Sequence, residues 1–358
     1  MQTHTPIITS SDCEGAGEVF TVEAPERLAD GSASASSSEG HPNEPFFRTT
    51  KYLTVSSQLH LEALASAVKN VWTLSPTFRA EKSDTARHLS EFYMLEAEMA
   101  FVQDANEVMN VIESMIKFVV EKLASSKLGK ELCSGRRSDT LREANEETER
   151  AHLTGEALQE RWRKLGDTTW PRITYHQACN HIISAAKGGL AQFETLPSQE
   201  SGLDTEHERY IADAVGRGGP VFVTDYPKAI KPFYMLPSKP RPAEELGPVP
   251  TVACWDLLMP DVCEVVGGSM REHRLEELEK AMQEKGLALG ARTNISDNQD
   301  EPGTYDAGLQ WYLDLRRYGS VPHGGWGLGF DRLLGYLAGL NNVRDIVTFP
   351  RYNKKCLC

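Results

Sequence analysis

The chain has 358 residues, of which 40% are hydrophobic and 25% charged, with a formal net charge of −13. These proportions fit a soluble globular enzyme with a sizeable core, and the acidic balance excludes a surface that is basic throughout while leaving room for a local basic patch. No apolar run approaches the roughly 20 residues needed to span a bilayer, which argues against a membrane protein. Residues 5–22 then read as a strand, a glycine-bearing loop over 12–17 and a second strand. Residues 28–45, centred on a run of Ser and Ala, cannot bury enough apolar surface to offset their ordering entropy and read as a disordered insertion. A short strand is expected over 52–56, and a helix over 59–70 with Leu59, Ala63 and Ala67 on its inner face.

A hairpin follows over about 71–101. Residues 104–125 repeat Val108, Val111, Ile112, Met115 and Val119 at helical spacing. Dense Glu and Arg over 136–164 predict a solvated helical segment. Strands are expected over 220–224 and 251–255, and a helix over 271–285 turns Leu275, Leu278 and Met282 inward. A glycine-rich strand then leads into a helix over 331–340. Irregular alternation with hairpin connections favours an α+β fold around a central antiparallel sheet flanked by helices. Seven scattered cysteines without CxxC spacing give no zinc or disulfide framework, and Cys356 and Cys358 read as free thiols in a reducing compartment.

The chemistry concentrates in three places. Arg79, Glu81, Arg87 and Phe92 lie in the hairpin, and Arg332 follows Gly325, Gly327 and Gly329 in a Gly-x-Gly pattern. Arginine forks suit phosphate oxygens, the Phe92 ring offers a face to a base, and Glu81 can accept from an amine or orient an arginine. The glycines permit close backbone approach. Asp256 and Glu264, on successive predicted strands, suit Mg²⁺, which takes a few carboxylates alongside phosphate oxygens.

The hairpin and the glycine-rich strand resemble motifs 2 (about 71–101) and 3 (about 324–340) of the class II aminoacyl-tRNA synthetases, and residues 1–358 read as their catalytic domain. The surrounding residues, including 91–98, 321–325 and 349–352, resemble the asparaginyl branch in its mitochondrial form. That resemblance implies ATP and Mg²⁺ as cofactors, asparagine and tRNA(Asn) as substrates, a mitochondrial location (the cytoplasm being the alternative) and, for full-length members, a homodimer. It implies that Arg79 holds the α-phosphate and the amino-acid carboxylate and that Phe92 stacks on adenine. Arg87, His88 and Arg332 would meet the outer phosphates. Glu14, Ser56, Gln58, Glu96 and Arg271 would surround the amino acid, with Arg79 and Arg332 catalytic and Asp256 and Glu264 holding the metal. Aspartyl enzymes carry a lysine where Leu61 stands; its absence, with Glu96 placed to accept from an amide, favours asparagine over aspartate.

Family members begin with an anticodon-reading barrel and a long motif 1 helix. This sequence opens inside the motif 1 strand, so it is expected to be a fragment or mis-started gene product, a free-standing catalytic domain being the alternative. An ammonia-dependent asparagine synthetase and a non-catalytic paralogue are the rival readings.

Overall fold

The computed structural model describes residues 1–10, 18–23, 46–47, 50–83, 85–134, 153–167, 169–287 and 308–356. The expected insertion over 28–45 and the loop carrying Glu14 lie outside the described residues. Strands are β1 Ile8–Thr9, β2 Thr21–Val22, β3 Lys51–Leu53, β4 Asn70–Phe78, β5 Glu91–Ala100, β6 Arg172–Thr174, β7 Val221–Thr224, β8 Cys254–Met259, β9 Cys263–Met270 and β10 His323–Gly329. Helices are α1 Gln58–Val68, α2 Ala105–Ser125, α3 Lys127–Ser134, α4 Gly155–Asp167, α5 Tyr175–Lys187, α6 Thr205–Ala214, α7 Ala243–Leu246, α8 Leu275–Glu284, α9 Gln310–Arg317 and α10 Phe330–Ala338. None is long and apolar enough to cross a membrane.

The main sheet has the strand order β4-β5-β10-β9-β8-β7-β6, antiparallel except for the β6–β7 pair; β1, β3 and β2 form a small second sheet. The α+β architecture read from the sequence is the one observed, as are the hairpin (β4 and β5) and the glycine-rich strand running into a helix (β10 and α10). One face of the main sheet is apolar. Phe222, Trp255, Leu257, Val266 and Leu328 pack there against Val108, Ile112 and Ile116 of α2, Leu158, Trp162 and Leu165 of α4, and Leu333, Tyr336 and Leu337 of α10. The opposite face carries α1 over β4 and β5, with α8 and α9 joined to α1 through Leu59, Leu278 and Tyr312.

Three helices differ from expectation in phase or burial. In α1 the buried residues are Leu59, Leu61, Glu62 and Ala65, not Ala63 and Ala67. The burial of Glu62 follows from its charge partners, to which apolar periodicity is blind. In α2 the buried line is Val108, Met109, Ile112, Glu113, Ile116 and Val120, while Val111 and Val119 are exposed. This helix is apolar around more than half its circumference, so spacing alone leaves its phase open. Asp104 caps it, its carboxylate accepting from Asn106 N at 2.7 Å. The charged stretch continues into α4, which is not wholly solvated: Leu158, Trp162 and Leu165 form a buried i, i+4, i+7 stripe beneath the charges. The predicted strand at 251–255 begins at Cys254 and runs on to Met259.

Candidate active site

Directly opposed residues of antiparallel strands project from one face of a sheet. One such row runs Thr73, Glu96, Gly327, Gly267 and Asp256 from β4 to β8. Two acids therefore stand either side of two residues with no side chain, which leaves an open floor. A Cβ on Gly267 would sit 3.0 Å from Glu264 Oε1 and 3.5 Å from Asp256 Oδ1, so the carboxylates converge on the space that glycine leaves. The next row, Val71, Glu98, Gly325 and Ser269, repeats the pattern. Gly325 tolerates nothing larger, since an added Cβ would meet Ala97 O at 2.5 Å and Glu98 Oε2 at 1.9 Å.

Two cavities open on this floor. The first, about 560 Å³, is lined by Ser56, Gln58, Leu61, Arg79, Glu96, Glu98, Asp256, Glu264 and Arg271 among others. The second, about 390 Å³, is lined by Arg79, Glu81, Arg87, His88, Phe92, Glu208, Glu264 and Arg332 among others. Arg79, Met94, Glu264 and Gly327 belong to both, so the cavities meet at Arg79. Every described residue singled out from the sequence for ATP, amino acid or metal lines one of the two.

At the closed end of the first cavity Arg271 is 3% exposed. Its Nε and Nη2 donate to Glu98 at 3.3 and 3.1 Å and its Nη1 to Ser269 Oγ at 2.7 Å, with Glu62 3.9 Å away. Burial disfavours the cation, but Glu98 and Glu62 outweigh it and raise its pKa. Behind it Glu62 Oε2 accepts from Tyr312 Oη and Arg316 Nη2 at 2.7 Å each and from His323 Nε2 at 3.2 Å. Burial opposes ionisation of Glu62, yet Arg316, His323 and Arg271 together hold its carboxyl well below the usual range. Glu98 is pushed up by burial despite Arg271. Glu96 accepts from Ser56 Oγ at 2.5 Å and Ser57 N at 2.9 Å, so it also ties down the start of α1.

In the second cavity the Arg79 guanidinium carbon lies 5.7 Å from the Phe92 ring centre and Nη1 lies 3.7 Å from Glu81. His88 Nε2 is 3.3 Å from Glu81, while burial, with Arg332, Arg87 and Arg79, lowers the imidazole pKa against the pull of Glu81. Arg332 donates to the Glu264 carbonyl through Nη1 and to Arg87 O at 3.4 Å. Near the junction Asp256 Oδ2 accepts from Lys231 Nζ at 3.0 Å. The charge of Asp256, then burial, raises the pKa of Glu264. Burial, with Glu264 and Asp256, pushes that of Glu208 up to about 8. Hard carboxylate oxygens that converge and repel form a donor set that fits Mg²⁺. By contrast Asp204, Glu206 and His207, close enough to ligate, are spent on the start of α6: His207 bridges Asp204 N and Thr195 O, and Glu206 accepts from Glu194 N and Thr195 N.

Sequence reasoning missed Glu98, Glu62, Lys231 and Glu208. Glu98 was findable: it lies two residues from Glu96 in one strand and so shares its face. Glu208 and Lys231 sit in segments with no motif around them, and only the fold brings them here.

Residues 1–353 match the family model of the class II tRNA synthetases (D, K and N). The chain belongs to this family. Among curated proteins it resembles the mitochondrial asparagine–tRNA ligase of Saccharomyces cerevisiae, 40% identical over 351 residues, covering 97% of this chain and 62% of that protein. Human asparaginyl-tRNA synthetase is 38% identical over 355 residues, covering 99% of this chain and 62% of that protein. Among solved structures, Pyrococcus horikoshii asparaginyl-tRNA synthetase complexed with asparaginyl-adenylate superposes with a TM-score of 0.70 at 29% identity, covering 99% of this chain and 64% of that one. This class II synthetase chain thus spans less than two thirds of the length of these relatives.

Proposed function

We propose that the chain activates asparagine with ATP, forming asparaginyl-adenylate and pyrophosphate, and transfers the asparaginyl group to tRNA(Asn). The observation that carries this reading is the state of Arg271 in the amino-acid cavity: it is already paired with Glu98 and flanked by Glu62. A guanidinium so compensated serves a neutral amide carbonyl better than a second carboxylate, and Leu61 supplies no further cation. The names of the relatives support the same substrate.

In this reading asparagine occupies the larger cavity, its side chain toward Arg271 and Glu96 and its ammonium toward Ser56 and Gln58. ATP occupies the smaller one, adenine against Phe92 and near Glu81, with the outer phosphates toward Arg87, His88 and Arg332. Arg79, at the junction, orients the asparagine carboxylate against the α-phosphorus and stabilises the charge that develops there. No covalent enzyme intermediate is needed, so the residues act by position and electrostatics. Asp256 and Glu264 would hold Mg²⁺, which supplies charge screening for the phosphates. The terminal ribose hydroxyl of tRNA(Asn) then attacks the acyl carbon and releases AMP. A mitochondrial matrix location, with the cytoplasm as the alternative, completes the proposal, and the resemblance to the mitochondrial relatives supports it.

Amino-acid-dependent ATP–pyrophosphate exchange tests it. Exchange is expected with asparagine and not with aspartate; exchange with aspartate, or none from folded protein, overturns it.

A further inference from the structure

Arg87 sits in the loop between β4 and β5, and that loop is pinned from several sides. Val343 N donates to Ala86 O at 3.0 Å, Arg344 Nη2 to Thr85 O at 3.2 Å, and Arg332 Nη2 to Arg87 O at 3.4 Å. The Arg87 side chain then crosses the second cavity to α6, a helix 118 residues further along the chain, where Nη2 donates to Thr205 Oγ1 at 2.5 Å. Among the described residues Arg87 forms no ion pair. Its guanidinium is thus held by a neutral hydroxyl, which fixes its direction without cancelling its charge. A guanidinium has five N–H donors, and this contact uses one.

Glu208 lies one turn beyond Thr205 on α6, lines the same cavity, and interacts electrostatically with Arg87 and Arg332. It is the competing destination for Arg87. A hydrogen bond from Arg87 to the Glu208 carboxyl would withdraw the guanidinium from any phosphate entering the cavity.

We infer that Thr205 is a positioning residue that holds Arg87 extended and uncompensated for the β- and γ-phosphates of ATP, against capture by Glu208. The inference rests on the reading of the second cavity as the ATP site. Thr205 does not touch the reacting atoms; it prepays the ordering of the residue that grips the outer phosphates.

The test is calorimetric titration of the full chain with ATP and, separately, AMP, in the presence of magnesium, with folding checked by circular dichroism. Thr205→Val is expected to weaken ATP binding about 3- to 10-fold and to leave AMP, which lacks the outer phosphates, unchanged. Thr205→Ser, which keeps the hydroxyl, should bind ATP like the parent. Thr205→Val combined with Glu208→Leu, which removes the competing acceptor, should recover most of the loss, a rescue that mere damage to α6 would not give. Undiminished ATP binding by Thr205→Val, equal losses for ATP and AMP, or no rescue in the double variant each overturn the inference. A folded parent chain that binds no ATP overturns the reading of the cavity itself and the inference with it.

Discussion

On one face of the main sheet Leu74, Leu95, Leu328, Val266, Leu257 and Phe222 stand side by side from β4 to β7; one residue along, Thr73, Glu96, Gly327, Gly267 and Asp256 stand on the other. The first row closes against α2, α4 and α10 with its central members fully buried. The second keeps a floor open by placing glycines where the first has Leu328 and Val266. The same strands thus carry stability on one side and charge on the other, and the alternation of side chains keeps the two separable. The carboxylates on the open side are costly: the charge of Asp256, then burial, raises the pKa of Glu264, and burial, with Glu264 and Asp256, raises that of Glu208.

Substitutions should respect that division. Arg79→Ala, on the open face, should lower asparagine-dependent exchange by about 10²- to 10³-fold while the melting temperature stays within a degree or so of the parent; exchange kinetics beside a thermal melt decide it. Leu257→Ala, next to Asp256 but on the closed face, should do the reverse. It should cost about 2–5 kcal/mol by urea unfolding and leave the KM for asparagine unchanged; a large rise in that KM would mean the faces are coupled. Gly267→Ala should lower exchange about 10- to 100-fold, because the methyl group displaces Glu264 from its convergence with Asp256. A variant with parental activity would show that this floor need not be bare.

Glu208→Gln gives the smallest effect and a sign. Its native carboxyl is raised from 4.5 to about 8, so the folded state keeps a proton that the unfolded chain has already lost. Its contribution is fully present below pH 4.5 and is lost as pH rises through 8. The glutamine variant should therefore melt like the parent near pH 5 and about 2–4 °C above it near pH 9. An unchanged difference across that range would contradict the assigned cause.

How much of this was legible in the sequence depends on the residue type. The hairpin arginines with Phe92, and the three glycines before Arg332, were visible because few structural roles need those residues together. The phase of α2 was not, since Val108, Val111, Ile112, Met115 and Val119 make a stripe almost as coherent as the one actually buried. Glu62 was hidden because a carboxylate in a helix ordinarily faces water; here Arg316 and His323, brought from more than 250 residues away, are what bury it. Thr205 and Glu208 were invisible for the same reason: their partners are set by tertiary packing of α6 on β8 and β9. Leu61 is the subtler case. Its identity pointed to asparagine, but only the pairing of Arg271 with Glu98 gives that choice a physical basis.

Selective binding of asparaginyl-adenylate at this site is read out most directly by a thermal shift with non-hydrolysable asparaginyl- and aspartyl-adenylate analogues. A ligand present at 100 times its Kd stabilises the folded state by about 2.7 kcal/mol. A rise of several degrees is expected with the asparaginyl analogue, abolished by Arg79→Ala, and little or none with the aspartyl one. Equal shifts with both analogues, or none with either, would contradict that expectation.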